Sequence, residues 1–109
     1  MKVVKKQNKL ILFKRGEYIF IDPDNIILVE RSNKDTIIKT KDGEFHSRDT
    51  LIYIQEQLPS NFIRVHRSFI INKNKVQKAM KYSVNIFLVT LEGGLEAFLH
   101  KKYLEKIIS

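Results

Sequence analysis

The chain has 109 residues, the size of one compact domain, and its 43% hydrophobic and 29% charged residues favour a folded, soluble domain over a disordered segment. Twenty Lys and Arg against twelve Asp and Glu leave a net charge of +8, so the expected partner is a polyanion, either nucleic acid or an anionic membrane surface. The absence of cysteine excludes disulfides and thiolate sites. The sequence shows neither a signal-peptide pattern nor an apolar run of the roughly 20 residues that span a bilayer. We therefore expect a cytoplasmic protein.

The first half of the chain predicts short strands. Residues 1–9 offer only Val3 and Val4 for burial, so we expect them to form a basic arm or linker remnant, with the folded domain at residues 10–109. Asp42-Gly43, between arms rich in Ile and Thr, is a strong hairpin signal. The predicted strands of this half are residues 10–14, 18–21, 26–31, 36–40 and 44–47.

The second half begins with a helical pattern and then returns to strands. Leu51, Ile54 and Leu58 recur at offsets of three and four, Asp49 lies near the start and Pro59 follows, which predicts a short amphipathic helix. Further strands are predicted at residues 62–65, 69–71, 76–81, 84–91 and 95–99, and a last helix at residues 103–108. The aromatic residues at 18–21 and 86–88 stand in apolar runs, so we expect most of them in the core.

Charge is distributed unevenly along this pattern. Between Glu56 and Glu92 there is no Asp or Glu, while the interval contains six fixed positive charges, at Arg64, Arg67, Lys73, Lys75, Lys78 and Lys81. Taken alone, such a run is more often a solvated strand face than a binding site. The order of the residues within it therefore decides its interpretation.

That order resembles a known family. Residues 62–72 fit the motif Phe-x-Arg-x-His-Arg/Lys-Ser-aromatic-aliphatic-aliphatic-Asn of the LytTR DNA-binding domains of bacterial response regulators. The matching residues are Phe62, Arg64, His66, Arg67, Ser68, Phe69, Ile70, Ile71 and Asn72. Residues 26–30 and 101–104 resemble two further segments of the family, so the resemblance covers roughly residues 10–108. It implies a mainly β, elongated arrangement of several short, mostly antiparallel sheets with one or two short helices.

The resemblance also implies which residues contact DNA, because loops of this family enter successive major grooves. The loops are at residues 32–36, 66–67 and 100–102. The expected base contacts are Arg67, His66, Lys102, Thr36 and Asn33. The expected phosphate contacts are Arg64, Lys34, Lys73, Lys75, His100 and Lys101. Arg67 comes first, because a guanidinium can donate to guanine O6 and N7 together.

Two features limit the transfer of the family pattern. His100 stands where the family usually has a small hydroxyl residue before the basic pair, which implies a longer contact or one directed at a phosphate. The loop at residues 32–36 varies widely within the family. Asp35 is unfavourable close to phosphates unless Lys34 or Arg31 neutralises it.

The expected function is sequence-specific binding of double-stranded DNA, without a cofactor, as the effector module of a bacterial transcription regulator in a two-component system. In most relatives a receiver domain promotes dimerisation on repeated half-sites. No receiver domain lies within these 109 residues, so both an excised effector domain and a stand-alone regulator are open, with a homodimer on repeated half-sites as the expected assembly.

Other functions are weaker interpretations. A small β-barrel that binds single strands or RNA is the alternative, and it requires exposed aromatics among basic residues. A membrane-surface role would depend on the last helix alone, which is expected to dock on the core. Ser68 near His66 has no orienting carboxylate nearby in sequence, so we predict no enzyme. His46, His66 and His100 are too scattered to predict a metal site.

Overall fold

In the computed structural model, residues 2–6 and 8–109 are described, and they form eleven strands and two short helices. The strands are β1 (Lys2–Lys6), β2 (Lys9–Lys14), β3 (Glu17–Ile21), β4 (Ile26–Ser32), β5 (Asp35–Thr40), β6 (Gly43–Ser47), β7 (Phe62–His66), β8 (Phe69–Asn72), β9 (Val76–Lys81), β10 (Ile86–Leu91) and β11 (Glu96–His100). The helices are α1 (Leu51–Glu56) and α2 (Leu104–Ile108), and 3-10 turns lie at Pro23–Asn25, Lys73–Lys75, Glu92–Gly94 and Lys101–Tyr103. Within the described residues, no helix is long and apolar enough to cross a membrane.

The strands form three antiparallel sheets. The middle sheet has the order β6-β5-β4-β8-β7, and the two outer sheets have the orders β1-β2-β3 and β11-β10-β9. The molecule measures 46 × 26 × 23 Å. The mainly β, elongated architecture expected from the sequence is confirmed, and the predicted elements from residue 10 onward agree with the observed ones to within two residues at each end.

The middle sheet is buried on both faces. Val29 and Ile70 pack with residues of β1–β3 and α1, while Leu28 and Ile71 pack with β9–β11 and α2. A bulge between Ile26 and Leu28 changes the register of β4 within this run. Burial on both faces explains why the strand sequences alternate imperfectly between apolar and polar residues.

The first residues are not the solvated arm that the sequence predicts. Residues Lys2–Lys6 form β1, and Val3 is fully buried. The Val3 N–H donates to Asp49 Oδ2 at 3.0 Å, and the Tyr53 hydroxyl donates to Val3 O at 2.6 Å. These partners are 46 and 50 residues away, so local composition could not reveal them. Met1 and Gln7 of the predicted arm lie outside the described residues.

The expectation of buried aromatics is wrong for β2 and β3. Tyr18 and Phe20 are 65% and 64% exposed, and Phe13 is exposed as well. In the antiparallel register, Phe13 pairs with Tyr18 and Ile11 pairs with Phe20, so these side chains share the outer face of the first sheet. The opposite face of β2, with Leu10 and Leu12, supplies the core.

Candidate nucleic-acid interface

The family motif forms the hairpin of β7 and β8, whose connection we call the β7–β8 turn (residues 66–68). Val65 and Ile70 are fully buried and fix the two strands to the core. The register shifts between Arg64 and His66, and the turn follows directly. Arg67, at the centre of the turn, is exposed. The hairpin thus combines buried apolar residues, which fix its strands, with an exposed arginine only a few residues away.

All three backbone carbonyls of the β7–β8 turn accept hydrogen bonds from elsewhere in the protein. Arg64 donates from Nε to His66 O at 2.8 Å and from Nη2 to Arg67 O at 2.6 Å. The Arg31 backbone N–H donates to Ser68 O at 2.9 Å. Hydrogen bonds from a charged donor are stronger than neutral ones, so the guanidinium of Arg64 holds the turn firmly. Arg64 thus has its Nε and Nη2 directed at the backbone rather than at an external phosphate.

His66 contributes to the same turn through its ring. Its Nδ1 accepts the Ser68 backbone N–H at 3.1 Å, and the ring packs against Phe69 and Phe98 with centroid distances of 5.6 and 6.2 Å. Burial lowers the pKa of His66, and the charges of Arg67, His100 and Arg64 lower it further. The imidazole is therefore neutral at neutral pH, and because Nδ1 is an acceptor, the proton is assigned to Nε2.

In the segment before α2, a histidine ring again accepts the backbone N–H of the residue two positions later. His100 Nδ1 accepts the Lys102 backbone N–H at 3.2 Å and so caps the 3-10 turn Lys101–Tyr103. A small hydroxyl side chain would cap a turn in the same way, which explains why histidine is tolerated at this position. Lys101 and Lys102 are exposed, and Lys102 Nζ lies 5.2 Å from the centroid of the Tyr103 ring.

Two of the three expected contact segments meet in one cleft. This shallow cleft, the His66 cleft, has a volume of about 460 Å³ and is lined by Arg64, His66, Arg67, Ile86, His100, Lys102 and Tyr103. Five of these are residues that the sequence singled out. Ile86 and Tyr103 were missed, because their positions depend on the pairing of β10 with β11 and on the docking of α2.

The first loop connects β4 and β5 and reaches solvent at Asn33 and Lys34. Both residues are exposed, and Asn33 has a φ of 56°, a left-handed conformation that Asn tolerates better than most residues. A second cleft, the Arg31 cleft, lies between the start of α1 and the side chains of Arg64 and Arg67. Its lining residues are Arg31, Thr50, Leu51, Ile52, Arg64 and Arg67.

Thr36 is not available for a base contact in this structure, which corrects the prediction made for it. Thr36 is fully buried. Its hydroxyl donates to Asp49 O at 2.6 Å and accepts from Arg31 Nη1 at 2.9 Å. The residue therefore anchors the base of the first loop, and its buried hydroxyl, already bonded to Asp49 O and Arg31 Nη1, does not reach the surface where DNA would bind.

Asp35 is neutralised by partners other than those expected. Its carboxylate is 3.3 Å from Arg48 Nε and 3.4 Å from His46 Nδ1, whereas the Arg31 guanidinium is bonded to Thr36 and to Asp49 O. The pairing of β5 with β6 brings these groups together, since Ile37 is opposite His46. Arg48 is a charge that sequence reasoning overlooked. The register of the predicted Asp42-Gly43 hairpin could have revealed it.

Lys73 and Lys75 lie away from the clefts. They follow β8 in a 3-10 turn, at the end of the strand opposite the β7–β8 turn. Lys73 Nζ donates to Ser109 O, and Lys75 Nζ is 3.1 Å from Glu92 Oε2. Their role as phosphate contacts remains a prediction that this geometry does not strengthen.

Catalytic and metal chemistry gain no support from the geometry. The contact between Ser68 and His66 uses the backbone N–H of Ser68, not its hydroxyl. Among residues 2–6 and 8–109, no group of three His, Asp or Glu side chains could hold a metal ion.

Comparison with known proteins agrees with this fold and motif. A model of the LytTr DNA-binding domain matches residues 16–108. Sensory transduction protein LytT of Bacillus subtilis is 28% identical over 102 residues, which cover 93% of this chain and 42% of that protein. Transcriptional regulatory protein NatR of the same organism is 31% identical over 99 residues, which cover 89% of this chain and 42% of that protein. The chain thus spans less than half the length of these relatives.

A solved structure agrees as well. A LytTr DNA-binding domain from Bacillus cereus superposes with a TM-score of 0.82 at 21% sequence identity, and the match covers 95% of this chain and 99% of that one. At this identity the likeness establishes the fold, including the three short antiparallel sheets.

Proposed function

The chain belongs to the LytTr DNA-binding domain family, and on that premise we propose that it recognises a specific duplex-DNA sequence as the effector module of a bacterial transcription regulator. One observation carries the proposal. The three carbonyls of the β7–β8 turn are bonded internally, and Arg67 extends from that turn, exposed, beside the His66 cleft.

Arg67 is the principal base contact in this proposal. A guanidinium that donates to guanine O6 and N7 together discriminates against other bases by about 1–3 kcal/mol. The rigid turn favours this contact, because fewer backbone conformations are lost on binding. His66, neutral and protonated on Nε2, offers a further donor to a base or phosphate acceptor from the same turn.

The remaining candidates supply positioning contacts. Lys102, Lys101 and His100 line or flank the His66 cleft, where cationic and N–H donors suit phosphate oxygens or a base edge. Asn33 and Lys34, at the tip of the first loop, are proposed to contact a neighbouring groove. The 46 Å length of the molecule exceeds the roughly 34 Å repeat of B-DNA, which supports contacts along more than one helical turn.

The setting of the domain is also a proposal. The relatives are named as sensory transduction and transcriptional regulatory proteins, and this chain spans 42% of each. We propose that it acts in the cytoplasm, performs no catalytic step, works with a receiver domain and dimerises on repeated half-sites. A single-stranded nucleic-acid or RNA module is not favoured, because the family match and the structural match are both to DNA-binding domains.

Selection of bound sequences from a pool of random duplexes tests the proposal. The wild-type chain should enrich a defined motif, and its affinity should fall steeply with salt, as phosphate contacts require. Arg67→Ala should relax the preference at one or two positions of that motif. Failure to enrich any duplex motif, or tighter binding to single strands of the same composition, would refute the proposed function.

A further inference from the structure

A third cleft, the Arg15 cleft, lies at the end of the first sheet beside the first loop. It has a volume of about 900 Å³, and its walls include Phe13, Lys14, Arg15, Asp35, His46 and Arg48. None of the cationic residues in it belongs to the family motif or to the expected contact segments. The cleft is open to solvent, so a large ligand could pass along it.

The charges of the Arg15 cleft favour an anionic ligand. Three fixed cations, Lys14, Arg15 and Arg48, face one carboxylate, that of Asp35. Asp35 is already paired with Arg48 Nε and His46 Nδ1. In the described part of the chain, neither Lys14 nor Arg15 forms an ion pair, and the side chain of Arg48 is 74% exposed. The cleft therefore retains uncompensated positive charge.

The backbone at Arg15 gives an independent reason to assign its side chain a role. Lys14 pairs with Glu17, so Arg15 and Gly16 alone connect β2 to β3, with φ values of 52° and 79°. A two-residue turn with positive φ at both positions strongly prefers Asn, Asp or Gly at the first. Arginine is a poor choice there for the fold, and an unfavourable residue at a turn tip points to a function for its side chain.

The Arg15 cleft also continues the surface proposed for DNA. Asp35 begins β5 directly after Asn33 and Lys34, so the cleft starts at the base of the first loop. Arg48 is two residues before Thr50, which lines the Arg31 cleft. The Arg31 cleft shares Arg64 and Arg67 with the His66 cleft. The His66 and Arg31 clefts are thus joined by shared arginines, and the short segment from Arg48 to Thr50 links the Arg15 cleft to them.

We propose that the Arg15 cleft binds the DNA backbone next to the groove entered by the first loop, with Lys14, Arg15 and Arg48 as phosphate contacts. This inference rests on the proposed function and extends its footprint to the first sheet. The contacts are non-specific, because phosphates do not report the base sequence. Their contribution is to affinity and to the orientation of the domain on the duplex.

The test compares salt dependence for three variants on the duplex motif selected by the wild-type chain. Arg15→Asn removes the charge while introducing a residue that the turn prefers, so the fold should be at least as stable. Each lost phosphate contact should reduce the slope of log affinity against log salt by about 0.9. Lys14→Gln with Arg15→Asn should reduce it by about 1.8, so that between about 50 and 200 mM salt the variant loses about twelvefold less affinity than the wild type.

Lys5→Gln is the matched control. Lys5 is exposed on the same sheet and pairs with Leu10, so about 17 Å of β2 separates it from the Arg15 turn at roughly 3.4 Å per residue. Lys5→Gln lowers the net charge by one, as Arg15→Asn does, and should leave the slope of log affinity against log salt unchanged. The inference is overturned if Arg15→Asn has the wild-type slope, or if Lys5→Gln lowers the slope equally.

The same experiment separates this inference from the proposed function. Absence of a selected duplex motif would overturn both. A selected motif that Arg67→Ala relaxes, together with an unchanged slope in the Lys14 and Arg15 variants, would overturn the Arg15 cleft alone. An unchanged motif and a reduced slope in those variants would support it.

Discussion

The β7–β8 turn and the first loop, both proposed to enter DNA grooves, are stabilised in different ways. In the β7–β8 turn every carbonyl of residues 66–68 accepts a hydrogen bond, so the backbone itself is fixed. The first loop is held at its base, through the buried Thr36 with its partners Arg31 and Asp49 and through the contacts of Asp35 with Arg48 and His46. Base recognition needs fixed geometry, whereas phosphate and adaptable contacts do not, so we expect specificity to be concentrated at the turn.

The two arginines of the family motif also differ in what they contact. Arg64 donates to the backbone of the turn, and Arg67 projects from it. The sequence predicts both as DNA contacts, Arg67 to a base and Arg64 to a phosphate, whereas in the structure Arg64 is bonded to the protein backbone. Arg64 positions the turn, and Arg67 is available to a ligand.

Removal of Arg64 should have the largest effect, because it disrupts the turn rather than one contact. Arg64→Ala deletes two charge-assisted hydrogen bonds and should lower the free energy of unfolding by about 1–3 kcal/mol. It should also relax base preference as Arg67→Ala does, since the turn loses its fixed geometry. Urea denaturation and duplex selection measure the two effects.

Arg64→Lys is the control, because it keeps the charge and loses the guanidinium geometry. If Arg64→Lys equals the wild type in stability and in base preference, then Arg64 acts as a simple phosphate charge and the distinction between the two arginines fails.

Arg67→Ala should come next, with its effect confined to binding. Loss of a bidentate contact should reduce discrimination at one or two base pairs by about 1–3 kcal/mol, or about 5- to 150-fold. The unfolding free energy should change by less than about 0.5 kcal/mol, because the side chain is exposed. Competition binding with single-base variants of the selected duplex measures it. A loss of stability comparable to that of Arg64→Ala would contradict the comparison.

Thr36→Val tests the first loop and should show the reverse of Arg67→Ala, namely a loss of stability without a change in base preference. Removing the buried hydroxyl deletes the 2.6 Å bond to Asp49 O, which keeps the longer one from Arg31 Nη1 at 3.3 Å, and it also removes the acceptor that Arg31 Nη1 uses on Thr36. The unfolding free energy should fall by about 1–2 kcal/mol. Thr36→Ser, which retains the hydroxyl, should recover most of it. Base preference should stay unchanged in both. A base preference altered by Thr36→Val in a variant of normal stability would restore Thr36 as a base contact.

The smallest expected effect is the pH dependence at His66. Its pKa is lowered in the folded protein, so the unfolded chain binds a proton more readily. The associated stability is therefore present above the unfolded pKa of about 6.5 and is lost as pH falls through the folded value. Unfolding free energies measured between about pH 8 and pH 5 should decline less steeply for His66→Gln than for the wild type. Parallel pH profiles for His66→Gln and the wild type would contradict the lowered pKa of His66.

The sequence predicted the local features well, and the reasons are physical. Strand and helix patterns depend on nearby residues, and the motif at 62–72 placed Arg67 and His66 in one turn. Contacts that depend on tertiary structure were not predictable. Burial of Val3 requires Asp49 and Tyr53, the bonds of Arg64 require the register shift in β7, and Asp35 meets Arg48 only through strand pairing. Tyr18 and Phe20 have the composition of a core strand, but they occupy the uncovered face of a sheet.

The most direct test of the central claim couples Arg67 to one atom of DNA. The selected duplex is prepared with a guanine analogue in which carbon replaces N7, and its affinity is measured for the wild type and for Arg67→Ala. If Arg67 on the rigid turn contacts that guanine, the two changes should be non-additive by about 1–3 kcal/mol. Additive losses at every guanine of the motif would contradict the account.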